Sequence, residues 1–161
     1  MSDFLIRQFQ PGDESAFHSL NVEWIERYFR IEPPDEAVLS NPQSAILDAG
    51  GRIFFAVRDG VAIGCCALIY LHEGEFEVAK MAVAPQAQGQ GIGRALLTAV
   101  IDEARRSGVR RLSLETNRVL TPAIRLYESC GFQHIPADRV HPSPYARSDV
   151  AMELVFSAIR S

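Results

Sequence analysis

The sequence predicts an α+β fold on three observations. Two helix-like stretches open the chain, three strand-like runs then follow one another through short turns, and the last third alternates strand and helix. Consecutive strands with tight connections are antiparallel neighbours, so the middle of the chain is a meander. That meander excludes a doubly wound, all-parallel sheet. At 161 residues, 47% hydrophobic and 22% charged, the chain suits one domain over 1–161 with an ordinary core and no long disorder. Sixteen basic against twenty acidic residues give a net charge of −4, which offers no electrostatic footprint for a nucleic-acid partner.

Phe4-Leu5-Ile6-Arg7-Gln8-Phe9 reads as the first strand, ended by Pro11-Gly12. Asp13 is placed as the N-cap of a helix carrying Phe17, Leu20, Val22, Trp24, Ile25, Tyr28 and Phe29, which Pro33-Pro34 is expected to stop. Asp35 is placed as the cap of a short helix over 36–39, interrupted at Pro42. Strands at 52–58 and 61–71 flank Asp59-Gly60, a dipeptide suited to a two-residue hairpin turn. Gly74 breaks the second run, and 76–83 makes the third strand, closed by Pro85. After a glycine-rich loop, a helix over about 91–107 puts Ile92, Leu96, Val100, Ile101 and Ala104 on one stripe, with Arg105 and Arg106 in its last turn and Gly108 just beyond. A strand at 111–115, a helix at 122–129, Gly131, a strand at 132–135, an excursion around Pro142 and Pro144, and a strand near 150–155 complete the order.

Of the three cysteines, the adjacent Cys65 and Cys66 point to opposite faces of a strand, and neither forms a C-x-x-C pair with Cys130. Reduced, mostly buried thiols in a cytoplasmic protein are expected. The start of the chain lacks the basic stretch and apolar run of a signal peptide, and no apolar run reaches the roughly 18–20 residues of a membrane span, so no membrane partner is expected.

The informative segment is Met81-Ala82-Val83-Ala84-Pro85-Gln86-Ala87-Gln88-Gly89-Gln90-Gly91-Ile92-Gly93-Arg94-Ala95-Leu96. A strand ends, glycines alternate with polar residues, and a helix begins at once. Backbone N–H groups converge there at the positive end of a helix dipole, an arrangement suited to phosphate or pyrophosphate. A P-loop needs Gly-Lys-Ser/Thr, but Arg94-Ala95 follows Gly93. A G-x-G-x-x-G/A fingerprint fails from Gly89 because of Arg94 and from Gly91 because of Leu96. What fits is Gln88-x-x-Gly91-x-Gly93; a plain glycine turn before a helix remains the alternative.

This segment resembles the acetyl-coenzyme A loop of the GCN5-related N-acetyltransferase (GNAT) superfamily, Gln/Arg-x-x-Gly-x-Gly/Ala. A second stretch is similar to the family's penultimate segment: Glu115-Thr116-Asn117, then Ala123-Ile124-Arg125-Leu126-Tyr127-Glu128-Ser129-Cys130-Gly131-Phe132. The likeness is motif-specific over about 77–132 and topological elsewhere. It implies a mixed, mostly antiparallel sheet of six to seven strands with about four helices, splayed near the middle, in a small protein of bacterial type. It further implies that the pyrophosphate of acetyl-coenzyme A lies on the amides of Gln88, Gly89, Gln90, Gly91, Ile92, Gly93 and Arg94. The pantetheine arm would pair with backbone at Met81, Ala82 and Val83, Asn117 would hydrogen-bond it, and Tyr127 would sit beside the sulfur.

Acetyl transfer to an amine needs a neutral nitrogen, and an alkyl amine with pKa near 10.4 is almost wholly charged at pH 7, so a base helps. Glu77 is the candidate, since similar enzymes often carry a glutamate there; a solvated carboxylate of the Glu73, Glu75, Glu77 series is the alternative. Tyr127 is the candidate acid for the departing thiolate, against a packed aromatic. A backbone N–H near 81–83 would stabilise the oxyanion. His72 beside Glu73, Glu75 and Glu77 reads as a solvated hairpin end, and no metal is expected. Cys130 reads as a packed thiol, and His18, His134 and His141 fit no motif. Arg105-Arg106 and Arg110-Arg111 read as helix-end and strand-edge charges.

For the acceptor, the resemblance points to the first two helices and the late segment: Trp24, Tyr28, Arg30, Tyr145 and Arg147, with Glu77. Aromatics with Arg30 and Arg147 would suit an amino acid-like acceptor bearing a carboxylate; core aromatics and surface arginines are the alternative. The expected activity is transfer of acetyl from acetyl-coenzyme A to a primary amine of a small molecule, by direct attack in a ternary complex. A non-catalytic acyl-coenzyme A sensor and a protein N-terminal acetyltransferase are the alternatives. The family likeness also allows a homodimer.

Overall fold

A computed structural model of the chain describes residues 3–156. Its strands form one sheet, with β1 Leu5–Gln8, β2 Arg52–Arg58, β3 Val61–His72, β4 Glu75–Val83, β5 Arg111–Thr116, β6 Gln133–His134 and β7 Val150–Val155 in the spatial order β1-β2-β3-β4-β5-β7-β6. Each neighbouring pair is antiparallel except β4 and β5. That parallel pair holds only from Glu75, Phe76 and Glu77 to Arg111, Leu112 and Ser113. Beyond it the two strands part, and the flank of β4 from Val78 to Val83 faces a gap. The expected splay is therefore at the middle of the sheet.

Helices cover both faces. α1 Glu14–Tyr28 and α2 Pro33–Leu39 pack on one side, where Phe17, Ile25, Leu39, Ile53, Phe55 and Cys65 form a core. α3 Ile92–Arg106 and α4 Thr121–Ser129 cover the other, where Leu96, Val100, Leu112, Cys66, Phe132 and Met152 form a second. Cys65 and Cys66 thus enter opposite cores, as strand alternation requires. Burial of each large side chain along α3 stabilises by roughly 1.5–3 kcal/mol, which fixes the N-terminus of that helix against the sheet. The Asp59-Gly60 turn has positive φ at both residues, 51° and 78°, the twist that joins β2 to β3 closely.

Several local expectations change. Asp13 stands at the start of α1, but its carboxylate binds Arg7 at 2.7 Å and the N–H of Gln10 at 2.7 Å instead of capping the helix. Pro33 and Pro34 begin α2 and do not end α1, which stops at Tyr28, because a proline in the first turn has no N–H to leave unpaired. The cap of α2 is Glu32, paired reciprocally with Asp35, which is the third helical residue and not the cap. A π-helical turn, Gln43–Leu47, buries Ile46 ahead of β2. β6 is shorter than the expected 132–135, and a 3-10 turn, Ala137–Arg139, follows it. Glu73 lies in the turn before β4, off the face shared by Glu75 and Glu77.

Candidate active site

β4 ends at Val83, a 3-10 turn Pro85–Ala87 follows, and the chain enters α3 through Gly91. Among the described residues, every backbone N–H from Gly89 to Arg94 is without a protein acceptor; the first helical bond runs from the N–H of Ala95 to the carbonyl of Gly91. Gly89 and Gly91 have φ of 78° and 81°, and a Cβ at either would meet nothing within 4 Å. The open space is a cradle that side chains would fill, and the strained backbone is one that only glycine adopts cheaply. Unpaired donors at the positive end of a fifteen-residue helix fit a diphosphate. The donor chemistry and the cradle both suit the coenzyme.

A cavity of about 670 Å³ runs from this loop through the gap beside β4 to the C-terminal end of α1. Met81, Ala82 and Val83 line it, as do Gln88, Gly89, Gly91, Ile92 and Gly93. Gln90 and Arg94 lie outside: the Gln90 carboxamide oxygen accepts from Arg58 at 2.6 Å, and Arg94 reaches the Ser129 hydroxyl at 2.9 Å. Their side chains are therefore directed to the protein, which leaves only their N–H groups for a ligand. Asn117 borders the cavity, yet its amide is committed on both ends, donating to the carbonyl of Arg147 at 2.7 Å and accepting from the N–H of Val119 at 2.9 Å. It acts as a staple between two loops, and the expected bond to the pantetheine arm would have to displace one of these.

Glu77 and Tyr127 face the same cavity. Burial, then the charge of Glu115, raise the Glu77 carboxyl to about 7, while Lys80 pulls it the other way. Glu77 is thus set apart from the solvated alternative, whereas Glu75 pairs with His72 and Arg111 near the strand's start. Burial in the α4 core, with Cys66 nearby, pushes the Tyr127 hydroxyl above its ordinary value and keeps it a neutral donor. Its ring packs edge-on against Phe132, centroids 6.1 Å apart. Packing and exposure to the cavity coexist in this residue.

The acceptor end departs most from expectation. A bulge sets Lys80 and Met81 opposite Cys66, and Lys80 adopts a positive φ of 55°. Its side chain is only 7% exposed, and the ammonium bonds Asp35 at 2.7 Å and the Tyr145 hydroxyl at 3.0 Å. Arg147 grips the same carboxylate with two nitrogens, at 2.8 and 2.6 Å, and Glu32 at 3.3 Å. Both cations also lie 4.6 Å from the centre of the Tyr145 ring. Asp35 is fully buried, and despite that burial its bonds to Arg147 and Lys80 hold its carboxyl down at about 2. Arg147 is therefore not free for an acceptor carboxylate, and the exposed Arg30 lies outside the cavity. Trp24 and Tyr28 do line it, their rings 5.2 Å apart. Sequence reasoning missed Lys80 and Asp35; the signal for Lys80 was a lone charge inside the apolar run Val78–Val83, and Asp35 offered none. Among the described residues no cluster of three His, Cys, Asp or Glu side chains is placed to hold a metal.

A sequence profile of the acetyltransferase (GNAT) family matches residues 16–132. An IAA acetyltransferase of Azospirillum brasilense is 34% identical over 132 residues, 81% of this chain and 84% of that protein. A ribosomal protein bS18-alanine N-acetyltransferase of Escherichia coli K12 is 42% identical over 137 residues, 84% and 93% of the two chains. The chain spans about half the length of the mycothiol acetyltransferases it also matches. In structure, an acetyltransferase of the GNAT family from Staphylococcus aureus Mu50 superimposes with a TM-score of 0.85 at 19% identity, over 94% of this chain and 98% of that one. That likeness concerns the fold.

Proposed function

The chain belongs to the acetyltransferase (GNAT) family, an acetyl-coenzyme A-dependent N-acyltransferase, and we propose that its acceptor is a primary amine of a small molecule, attacked directly in a ternary complex. The carrying observation is the run of unpaired N–H groups from Gly89 to Arg94 in one cavity with Glu77 and Tyr127. Acetyl-coenzyme A would lie with its diphosphate on those donors and its arm along the open flank of β4, at Met81, Ala82 and Val83. Bound there, it supplies an activated acyl group.

The residues of the chain supply proton control. An acceptor ammonium has pKa near 10.4, so moving its proton to a carboxylate at about 7 costs about 4–5 kcal/mol, against about 8 kcal/mol for one at 4.5. The raised carboxyl of Glu77 is a base matched to this task. Glu77 takes the ammonium proton and releases it to solvent; as the nitrogen then bonds the acyl carbon and the carbon–sulfur bond breaks, the second nitrogen proton passes to Glu77. The neutral Tyr127 hydroxyl holds the proton that the sulfur requires, and burial ensures that it is a donor at every working pH. A backbone N–H near Met81–Val83 bears on the developing oxyanion.

Two features support a small acceptor in a cytoplasmic setting. The segment carrying Tyr145 and Arg147 is tied to Glu32 and Asp35, which fixes one wall of the acceptor end. The buried thiols of Cys65 and Cys66 are free. A peptide amine is the second reading, favoured by the relative that acts on ribosomal protein bS18. Calorimetry with acetyl-coenzyme A, followed by free-thiol release with a panel of small amines and an alanine-initiated peptide, tests it. Small-amine turnover exceeding that of the peptide is expected; peptide turnover alone overturns the small-molecule reading.

A further inference from the structure

We infer that the acceptor is a cationic amine without an acidic group, of the alkyl diamine class; this rests on the acetyl-transfer reading of the same cavity. The charged side chains lining that cavity are Glu77, Lys80, Glu115 and Arg147. The two cations are already neutralised from behind the wall, Lys80 by Asp35 and Arg147 by Asp35 and Glu32. The two carboxylates are not: among the described residues neither Glu77 nor Glu115 has a basic partner within salt-bridge distance, and Glu115 has only the Ser143 hydroxyl, at 2.5 Å. After burial, the charge of Glu115 is the second cause that raises the Glu77 carboxyl, the electrostatic trace of that imbalance. An entering ammonium relieves it, whereas an entering carboxylate adds a third negative charge with no free cation to meet it.

Asn21 on α1 gives an independent indication. It is 1% exposed and lines the cavity, and its NH₂ donates to the Phe17 carbonyl at 3.0 Å and to Cys65 Sγ at 3.3 Å. Its carbonyl oxygen accepts from nothing among the described residues. Yet no fully enclosed side-chain oxygen or nitrogen there lacks a partner, so this oxygen touches the cavity. An acceptor oxygen alongside two carboxylates calls for a ligand rich in N–H donors. The Trp24 and Tyr28 rings add faces that favour cations and methylene chains. A diamine satisfies the set: one nitrogen is freed for attack through Glu77, and the second remains an ammonium beside Glu115.

The test is a matched pair of acceptors with one chain length and opposite far ends, 1,4-diaminobutane and 4-aminobutanoate. The kcat/KM of the diamine is expected to exceed that of the amino acid at least tenfold; a ratio under tenfold overturns the inference. Glu115→Gln should cut the ratio at least threefold, with acetyl-coenzyme A affinity and Tm reporting that the variant is folded; an unchanged ratio removes Glu115 from recognition and overturns the two-carboxylate assignment. An alanine-initiated peptide run in parallel separates the failures. If it is acetylated and neither butane-chain amine is, the diamine class falls while acetyl transfer stands. If acetyl-coenzyme A binds and no acceptor is turned over, the functional reading falls and takes this inference with it.

Discussion

The two ends of the cavity are built by different means. At the end proposed for the coenzyme the available polar groups are backbone: the N–H groups from Gly89 to Arg94 and the unpaired flank of β4, shaped by glycines and by the parting of β4 from β5. At the acceptor end the wall is set by side chains from distant segments, Lys80 on the bulge and Tyr145 and Arg147 on the loop before β7, backed by Glu32 at the cap of α2 and Asp35 within it; Asp35 and Arg147 are 112 residues apart. A backbone site constrains a few contiguous residues and tolerates its surroundings. A site of mutually bonded charges stands or falls as a unit, and can change specificity without touching the coenzyme loop.

The largest expected effect lies at the acceptor end. Asp35→Ala strips Lys80 and Arg147 of their shared partner and leaves two buried cations, at a cost of about 3–5 kcal/mol in denaturant unfolding at pH 7. Because the folded carboxyl sits near 2 and the unfolded one near 3.8, its contribution is fully present above pH 4 and fades as pH falls through 2. The stability gap between the parent and Asp35→Asn should therefore narrow between pH 4 and 2. If the folded variant also loses acetyl-coenzyme A affinity tenfold or more, the two ends are not independent and the comparison fails.

Between the two ends stands Glu77. Its base form is present above pH 7, so kcat/KM should rise with pH to a plateau, with a midpoint near 7. Glu77→Gln should lower kcat/KM about 100-fold and flatten that limb. The same shift has the opposite sign for stability. The folded protein binds this proton more tightly than the unfolded chain, so stability falls as pH rises from 4.5 to 7. At pH 8 the glutamine variant should be the more stable by about 1–3 kcal/mol. A variant that is less active and also less stable at pH 8 would make Glu77 structural. Tyr127→Phe comes next, with kcat reduced at least tenfold and acetyl-coenzyme A affinity nearly unchanged; a parent-like kcat over pH 6–9 removes the hydroxyl from the proton path.

The contrast also explains what could be read from the chain. Meander, glycine loop and final strand follow from local signals, turn residues and periodicity, and the structure has β2, β7 and the 59–60 turn where the residues put them. The run of unpaired amides after β4 was equally legible as geometry, because such amides need glycines and a helix start, and these are contiguous. Pro33-Pro34 misled because the same dipeptide ends one helix or begins another, and the reciprocal pair of Glu32 and Asp35 decides which. Arg147 looked like an anchor for a carboxylate because nothing in its neighbourhood of sequence shows that Asp35 already holds it. Contacts closed over a hundred residues of chain leave no local pattern. The bulge at Lys80 lies between these cases: a lone lysine amid alanines, valines and a methionine is visible, but the positive φ that accommodates it is not.

The smallest effects test the backbone claim most sharply. Gly91 has a φ of 81° and empty space around its missing Cβ, so Gly91→Ala meets no protein atom, and its whole cost is strain of about 1–2 kcal/mol together with a methyl group in the diphosphate cradle. Gly93 lies inside α3 with ordinary φ, and a Cβ there would touch only Leu126 Cδ2 at 3.5 Å. Gly93→Ala should then be neutral or stabilise by about 0.5–1 kcal/mol through lower chain entropy, with its N–H still aimed out of the helix start. Calorimetry should find acetyl-coenzyme A weakened at least tenfold by the first and less than threefold by the second. The reverse order would mean that the diphosphate lies along the first turn of α3 near Leu126 and not in the cradle of Gly89 and Gly91, and the donor end would then depend on side-chain packing as the acceptor end does.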